Sequence, residues 1–174
     1  MRYAVFVIIS VVYFSLLNPA RATGVLPKPA GPVILTISGN VETSNSDRGA
    51  IFDREMLQDQ ILTGLPRTTI NSATAWTTGI AEFEGVLLKD ILTLVGASGN
   101  QIIATALNDY SIAIPYTHVT KYKILLAMKM NGKAMRVRDK GPIWIIYPTE
   151  SAKKSKGNPL NNFMVWQLAG LDIK

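Results

Sequence analysis

A few groups of residues in this 174-residue chain have types and spacings that could do chemistry. Glu82 and Glu84 flank Phe83. On a strand both carboxylates would share one face, as an acid/base pair does; in a turn leading into a helix they would be a solvated edge that favours the helix dipole. Arg136, Arg138 and Lys140 alternate, so a continuing strand would set three cations on one face, opposite Val137 and Asp139, where an anion could bind. The plainer reading is a charged edge that blocks strand addition. Ser72 has no histidine or lysine base close in sequence, so nucleophilic catalysis is not indicated. His118 is the only histidine and there is no cysteine, so the usual imidazole or thiolate zinc cluster cannot be assembled. It reads as a partly exposed loop residue. No catalytic residue and no metal ligand is assigned.

The absence of cysteine also removes thiolate nucleophiles, Fe–S clusters and disulfides. Residues 1–22 have the layout of a secretory signal peptide: Arg2 supplies a positive start, 4–17 an apolar stretch, and Ala20-Arg21-Ala22 a small-residue exit. That stretch is shorter than the roughly 20 residues of a spanning helix, so cleavage after Ala22 is expected. Removing 22 residues from 174 leaves 152, enough for one domain. The expected product is periplasmic or secreted and not membrane-spanning. It also loses Arg2 and Arg21, so 16 bases face 12 acids, a net charge of +4. The segment 42–109 carries nine acids and four bases, and 121–156 ten bases and two acids. Such asymmetry suits a small anionic ligand or an acidic, periplasmic or membrane partner protein, and equally suits plain solubility. No aromatic-and-basic nucleic-acid signature is present, so no nucleic acid is expected.

The elements that would position these residues are mainly strands. Residues 23–32 read as an extended leader with three prolines and two glycines, and 33–38 as the first strand. A short strand at 51–52 precedes Asp53, placed as the N-cap of a helix over 54–61. A strand is expected at 68–74. The spacing of Leu88, Ile91, Leu92 and Val95 predicts a helix over 87–95, stopped by Gly96. Strands at 101–107 and 111–115 flank the turn-forming Asn108-Asp109. A strand at 124–130 leads into Asn131-Gly132, the strongest hairpin signal in the chain, with its return near Ala134. Residues 143–147 form a buried strand and 171–174 a terminal one, while Lys153, Lys154 and Lys156 sit in a basic loop. Strands with two or three short helices give an α+β class and not a βαβ parallel sheet.

The ordered set FEGVLLKDIL (83–92), ALNDYSIAIP (106–115), LLAMKMNGKAM (125–135), GPIWIIYP (141–148) and VWQLAGLDI (165–173) resembles the molybdopterin-binding oxidoreductase domain of the sulfite oxidase family. The resemblance spans 33–174 and implies a β-rich fold holding a molybdenum–pterin cofactor through a cysteine thiolate. Ser72 or its neighbours fall near that ligand position, and none is cysteine. A hydroxyl is no ready substitute for a thiolate. Two further positions depart from the pattern. The family usually has an arginine after the Gly-Pro-apolar step and often a lysine before the last tryptophan; here these are Trp144 and Val165. By the same resemblance, Asn108-Asp109-Tyr110 would lie near the substrate side of the cofactor pocket and Trp76 could cover it. The ligand-binding set is therefore Ser72, Trp76, Asn108, Asp109, Tyr110, Arg136, Arg138 and Lys140. No bound cofactor is expected, with molybdopterin as the alternative. The implied activity is that of a ligand-binding or sensory accessory module. A molybdopterin-dependent oxidoreductase with non-cysteine ligation is one alternative, and a structural partner of a membrane complex another.

Overall fold

The apolar runs pair into two sheets in the computed structural model, which describes residues 26–149 and 157–174. The expected signal segment 1–22 and the basic loop at 153–156 lie outside the described residues. In chain order the first half holds β1 (Val33–Gly39), β2 (Ala50–Asp53), α1 (Arg54–Gln58), α2 (Gln60–Thr63), β3 (Arg67–Ala73), β4 (Ile80–Leu87) and α3 (Leu88–Leu94). The second half holds β5 (Gln101–Ala106), β6 (Ser111–Pro115), α4 (Thr117–Lys121), β7 (Leu125–Met130), β8 (Lys133–Ala134), β9 (Trp144–Ile146) and β10 (Leu168–Ile173). The α+β class follows: strands dominate and the helices are short.

One sheet has the order β2-β1-β10-β5-β6, in which β1 and β10 are parallel. The other runs β3-β4-β7, and the far edge of β7 is shared by β8 and β9. Period-two burial explains the first sheet: Leu35 and Ile37 of β1 and Ile102 and Ala104 of β5 point into the core. The inner face of the second sheet meets the same core through Val86, Leu126, Met128 and Ile145. Its opposite face carries a separate cluster of Phe83, Leu125, Ala127, Met135, Trp144 and Ile146. Thus β7 and β9 are dry on both faces, which is why their sequences are uniformly apolar and not alternating.

Local signals account for the connections. Asn131 and Gly132 both take positive φ (50° and 73°), as a two-residue primed turn requires, and set the register Met130↔Lys133. Gly96 ends α3 at φ 62°. At Gly141 an added Cβ would run into the backbone carbonyl of Met135, so the chain can enter β9 only with glycine there.

Four sequence expectations are corrected. The helix predicted over 54–61 is split at Asp59, which is extended (φ −94°, ψ 110°). The freed carbonyls of α1 turn to side chains, Met56 O accepting from Thr63 Oγ1 and Gln58 O from Arg67 Nη2. Glu82 and Glu84 lie on a strand, β4, and not in a turn. Glu84 is held by Arg67 at 3.3 Å and Lys129 at 2.8 Å, so it serves a cross-strand ion network. His118 lies on α4, a helix of five residues with neither a side-chain cap nor a long apolar stripe to announce it. Finally, the strand after Gly132 stops at Ala134, and a 3-10 turn at Val137–Asp139 follows. The strand face that would have aligned Arg136, Arg138 and Lys140 therefore does not form.

Asp53 ties two segments together. Its Oδ1 accepts the Met56 N–H, capping α1, while Oδ2 accepts the N–H groups of Ala30 and Gly31, all at 2.8 Å. Burial opposes the charge, but the combined backbone donors hold the carboxyl below its ordinary 3.8. Its contribution is therefore complete above pH 3.8 and lost as pH falls through the lower native value. Asp53→Ala should cost about 1–2 kcal/mol in urea unfolding at neutral pH and flatten the acid limb of the stability curve.

His118 Nδ1 meets the Tyr147 hydroxyl at 3.0 Å, and its ring packs against Tyr122, Tyr147 and Phe163. Burial, and secondarily the charge of Lys121, holds the imidazole below its ordinary 6.5. Stability from the neutral ring is complete above pH 6.5 and declines as pH falls through the native value. Denaturation at about pH 7.5 and about pH 5.5 should show this loss in the parent chain and a smaller one in His118→Gln.

Candidate functional site

Three loops at the ends of strands meet around a cleft of about 350 Å³. The first follows β3, where hydroxyls fix the backbone: Thr74 N–H donates to Thr77 Oγ1 at 2.9 Å and Trp76 N–H to Thr74 Oγ1 at 3.1 Å. This small turn presents Trp76, 40% exposed. The second is the β5–β6 turn, where Asp109 is left-handed (φ 63°) and Asn108 Oδ1 accepts the Tyr110 N–H at 3.3 Å. Tyr110 is thereby turned outward, 52% exposed.

The third loop precedes β10. Asn158 caps a 3-10 turn, Pro159–Phe163, which brings Asn161 and Asn162 to the cleft. Gln167 is left-handed (φ 53°), so Val165 and Leu168 turn inward and Trp166 outward. The second and third loops are joined by Leu107 N–H to Gln167 O at 2.9 Å. Trp76 and Trp166 meet edge to face with centroids 5.2 Å apart and planes at 88°. Beneath them Trp144 is fully buried, 6.2 Å from Trp76 and 5.5 Å from Phe83, and its indole N–H donates to Met164 O at 3.3 Å.

Of the candidate residues, Trp76, Asn108 and Tyr110 come together on this cleft. Ser72, Asp109, Arg136, Arg138 and Lys140 are not among its lining residues. Arg136 pairs with Asp139, Arg138 is exposed, and Lys140 stands over the Trp144 ring at 5.3 Å. Sequence reasoning missed Asn161, Asn162 and Trp166. Trp166 lay within the VWQLAGLDI motif, and Asn158-Pro159 signals a turn, but nothing local tied either to residue 76 or 110. A wider groove of about 860 Å³ lies beside α1 and residues 31–34. It contains none of the candidates, and its Asp53 and Arg67 already serve the fold.

Ser72, which with its neighbours was expected near the metal-ligand position, is buried, as are Thr74 and Thr149. Ser72 Oγ accepts the Thr149 N–H at 2.9 Å and lies 3.3 Å from Tyr147 O, to which it donates. Ala73 N–H to Thr149 O continues the same link. Ser72 thus binds the end of β3 to the chain leaving β9, and its oxygen is already engaged. The two other departures are core: Trp144 and Val165 are buried. Among the described residues no lysine or arginine lines the cleft, and no group of three or more His, Asp or Glu side chains could hold a metal. A phosphorylated metal–pterin needs a soft or anionic metal ligand and charge-assisted donors. The described residues of the cleft and around Ser72 do not fit such a group.

The sequence profile of one protein family, described as the oxidoreductase molybdopterin binding domain, matches residues 55–156. Comparison with curated proteins gives no match. The matched stretch includes Ser72, Trp76 and Tyr110 but stops short of the third loop of the cleft. Since Thr149 is buried, Ser72→Ala would strand its N–H without a partner. Urea unfolding should show a loss of about 1–3 kcal/mol, and an unchanged midpoint would show that the link contributes nothing.

Proposed function

Because the chain belongs to the family of oxidoreductase molybdopterin binding domains, we propose that it uses this scaffold as a ligand-binding or sensory accessory module and not for molybdenum catalysis. The observation that carries the reading is the state of Ser72: at the position expected near the metal stands a hydroxyl, fully buried and engaged by Thr149 and Tyr147. A hydroxyl with its oxygen so occupied would have to break the link between β3 and the 147–149 segment before it could ligate anything. Trp144 and Val165 support the same conclusion, since two positions suited to cationic anchors are filled by core side chains.

The cleft lined by Trp76, Tyr110 and Trp166 remains for a small molecule or for a side chain of a partner protein. The layout of residues 1–22 favours work outside the cytoplasm, in the periplasm or the medium. A sensory or accessory role suits a small domain with a ligand cleft and no assigned catalytic group.

Two measurements on protein expressed from the full chain in its native host test this. Elemental analysis and pterin fluorescence should find molybdenum and pterin far below one per chain; stoichiometric amounts would overturn the reading in favour of an oxidoreductase with unusual ligation. Mass analysis of the exported product should give Thr23 as its first residue. Retention of residues 1–22 in the cytoplasmic fraction would remove the export part of the proposal.

A further inference from the structure

All the large aromatic side chains exposed among the described residues, Trp76, Tyr110 and Trp166, line one cleft. The remaining polar lining is amide: Asn108, Asn161 and Asn162. Its floor is apolar, formed in part by buried Met164 and Val165. Apart from the Tyr110 phenol, no ionisable side chain lines it among the described residues.

We propose that this cleft binds a neutral pyranose sugar as a mono- or disaccharide. The inference rests on the domain being a ligand-binding module and names the class of its ligand. Two features of the site favour that class, and a third accommodates it. Among the described lining residues an ionised ligand would meet no opposite charge to offset its lost hydration, so this lining favours neutral compounds. The amides of Asn108 and Asn162 supply hydrogen bonds to hydroxyl groups without adding charge. Asn108 has its Oδ1 committed to the Tyr110 N–H, so its amide nitrogen remains to donate.

The third feature is the angle between the indoles. Planes at 88° form a corner. A flat heteroaromatic can stack on one wall and meet the other edge-on, itself a favourable contact, so adenine is the decisive control. A pyranose offers the axial C–H groups of its face to an indole while its rim hydroxyls meet the amides. The volume, about 350 Å³, lies at the small end of the usual range for ligand sites, roughly 300–1,000 Å³.

The chain supplies its own probe, because its three tryptophans, Trp76, Trp144 and Trp166, form this one cluster. Intrinsic fluorescence of the exported protein is titrated with maltose, glucose and N-acetylglucosamine, and with glucuronate, inorganic phosphate and adenine as charged and flat controls. At least one neutral sugar should give a saturable change, and each control a weaker one. Tyr110→Ala should weaken the sugar about tenfold with an unchanged melting temperature, since Tyr110 sits on an exposed turn. Trp166→Phe, which keeps a ring, should retain part of the affinity.

Saturation by glucuronate or phosphate and not by neutral sugars would overturn the sugar proposal and leave the ligand-binding module standing. Tighter binding of adenine would do the same. Sugar binding indifferent to Tyr110→Ala, or no response to any probe, also rejects the proposal. Stoichiometric molybdenum is the separate result that would sink the underlying reading.

Discussion

The second sheet has to be dried on both sides, and much of the molecule follows from that requirement. In β7, Leu126 and Met128 point into the main core while Leu125 and Ala127 point the other way; in β9, Ile145 and the pair Trp144 and Ile146 divide likewise. Each such side chain contributes about 1.5–3 kcal/mol only if its face is covered. The inner face is covered by the first sheet. The outer face needs its own cluster, supplied by Phe83, Met135 and, largest of all, Trp144. An arginine at residue 144 would bring a charge among the apolar side chains of that cluster, a costly exchange unless paired. The same packing that stabilises β9 therefore gives residue 144 to the core and not to a ligand. It also provides the base against which Trp76 rests, and from Trp76 the aromatic wall of the cleft continues to Trp166.

Ser72 shows what a buried hydroxyl does at the end of β3. A hydroxyl both donates and accepts, and here it does both, closing the gap between the end of β3 and residues 147–149. The residue thereby serves the integrity of the sheet. The cleft beside it is left with rings and amides. Among the described residues the cleft has a neutral lining, while Arg136, Arg138 and Lys140 at the turn over 137–139 stay outside it.

How far the sequence could be read depends on how local each signal was. The β7–β8 hairpin was legible because Asn131-Gly132 satisfies its turn within two residues, and α3 because four apolar residues fix its buried face. Asp53 was legible as a cap by position alone; its hold on Ala30 and Gly31 was not, because those donors lie more than twenty residues upstream. The strand β4 was obscured where it passes into α3 with no turn between them: Leu87 is extended and Leu88 helical. The split of the first helix at Asp59 was hidden because the groups that satisfy its freed carbonyls lie downstream, in the side chains of Thr63 and Arg67. Arg136, Arg138 and Lys140 suggested a strand face through their alternation, yet a left-handed Lys140 and the 3-10 turn before it break the period.

Sequence by itself determined the alternation of the strands, the turns that carry their own stereochemistry, the absence of any thiol, and the ordered motifs that place the chain in its family. These are properties of neighbouring residues or of composition, and no folding is needed to express them. Tertiary structure decided where the residues at those departures stand. It put Trp144 in a second core, engaged Ser72 with Thr149, and brought Trp166 beside Trp76 and across from Tyr110. The physical reason is topological: β10 inserts between β1 and β5, carrying the loop before it to the β5–β6 turn, so residues from three distant segments share one cleft.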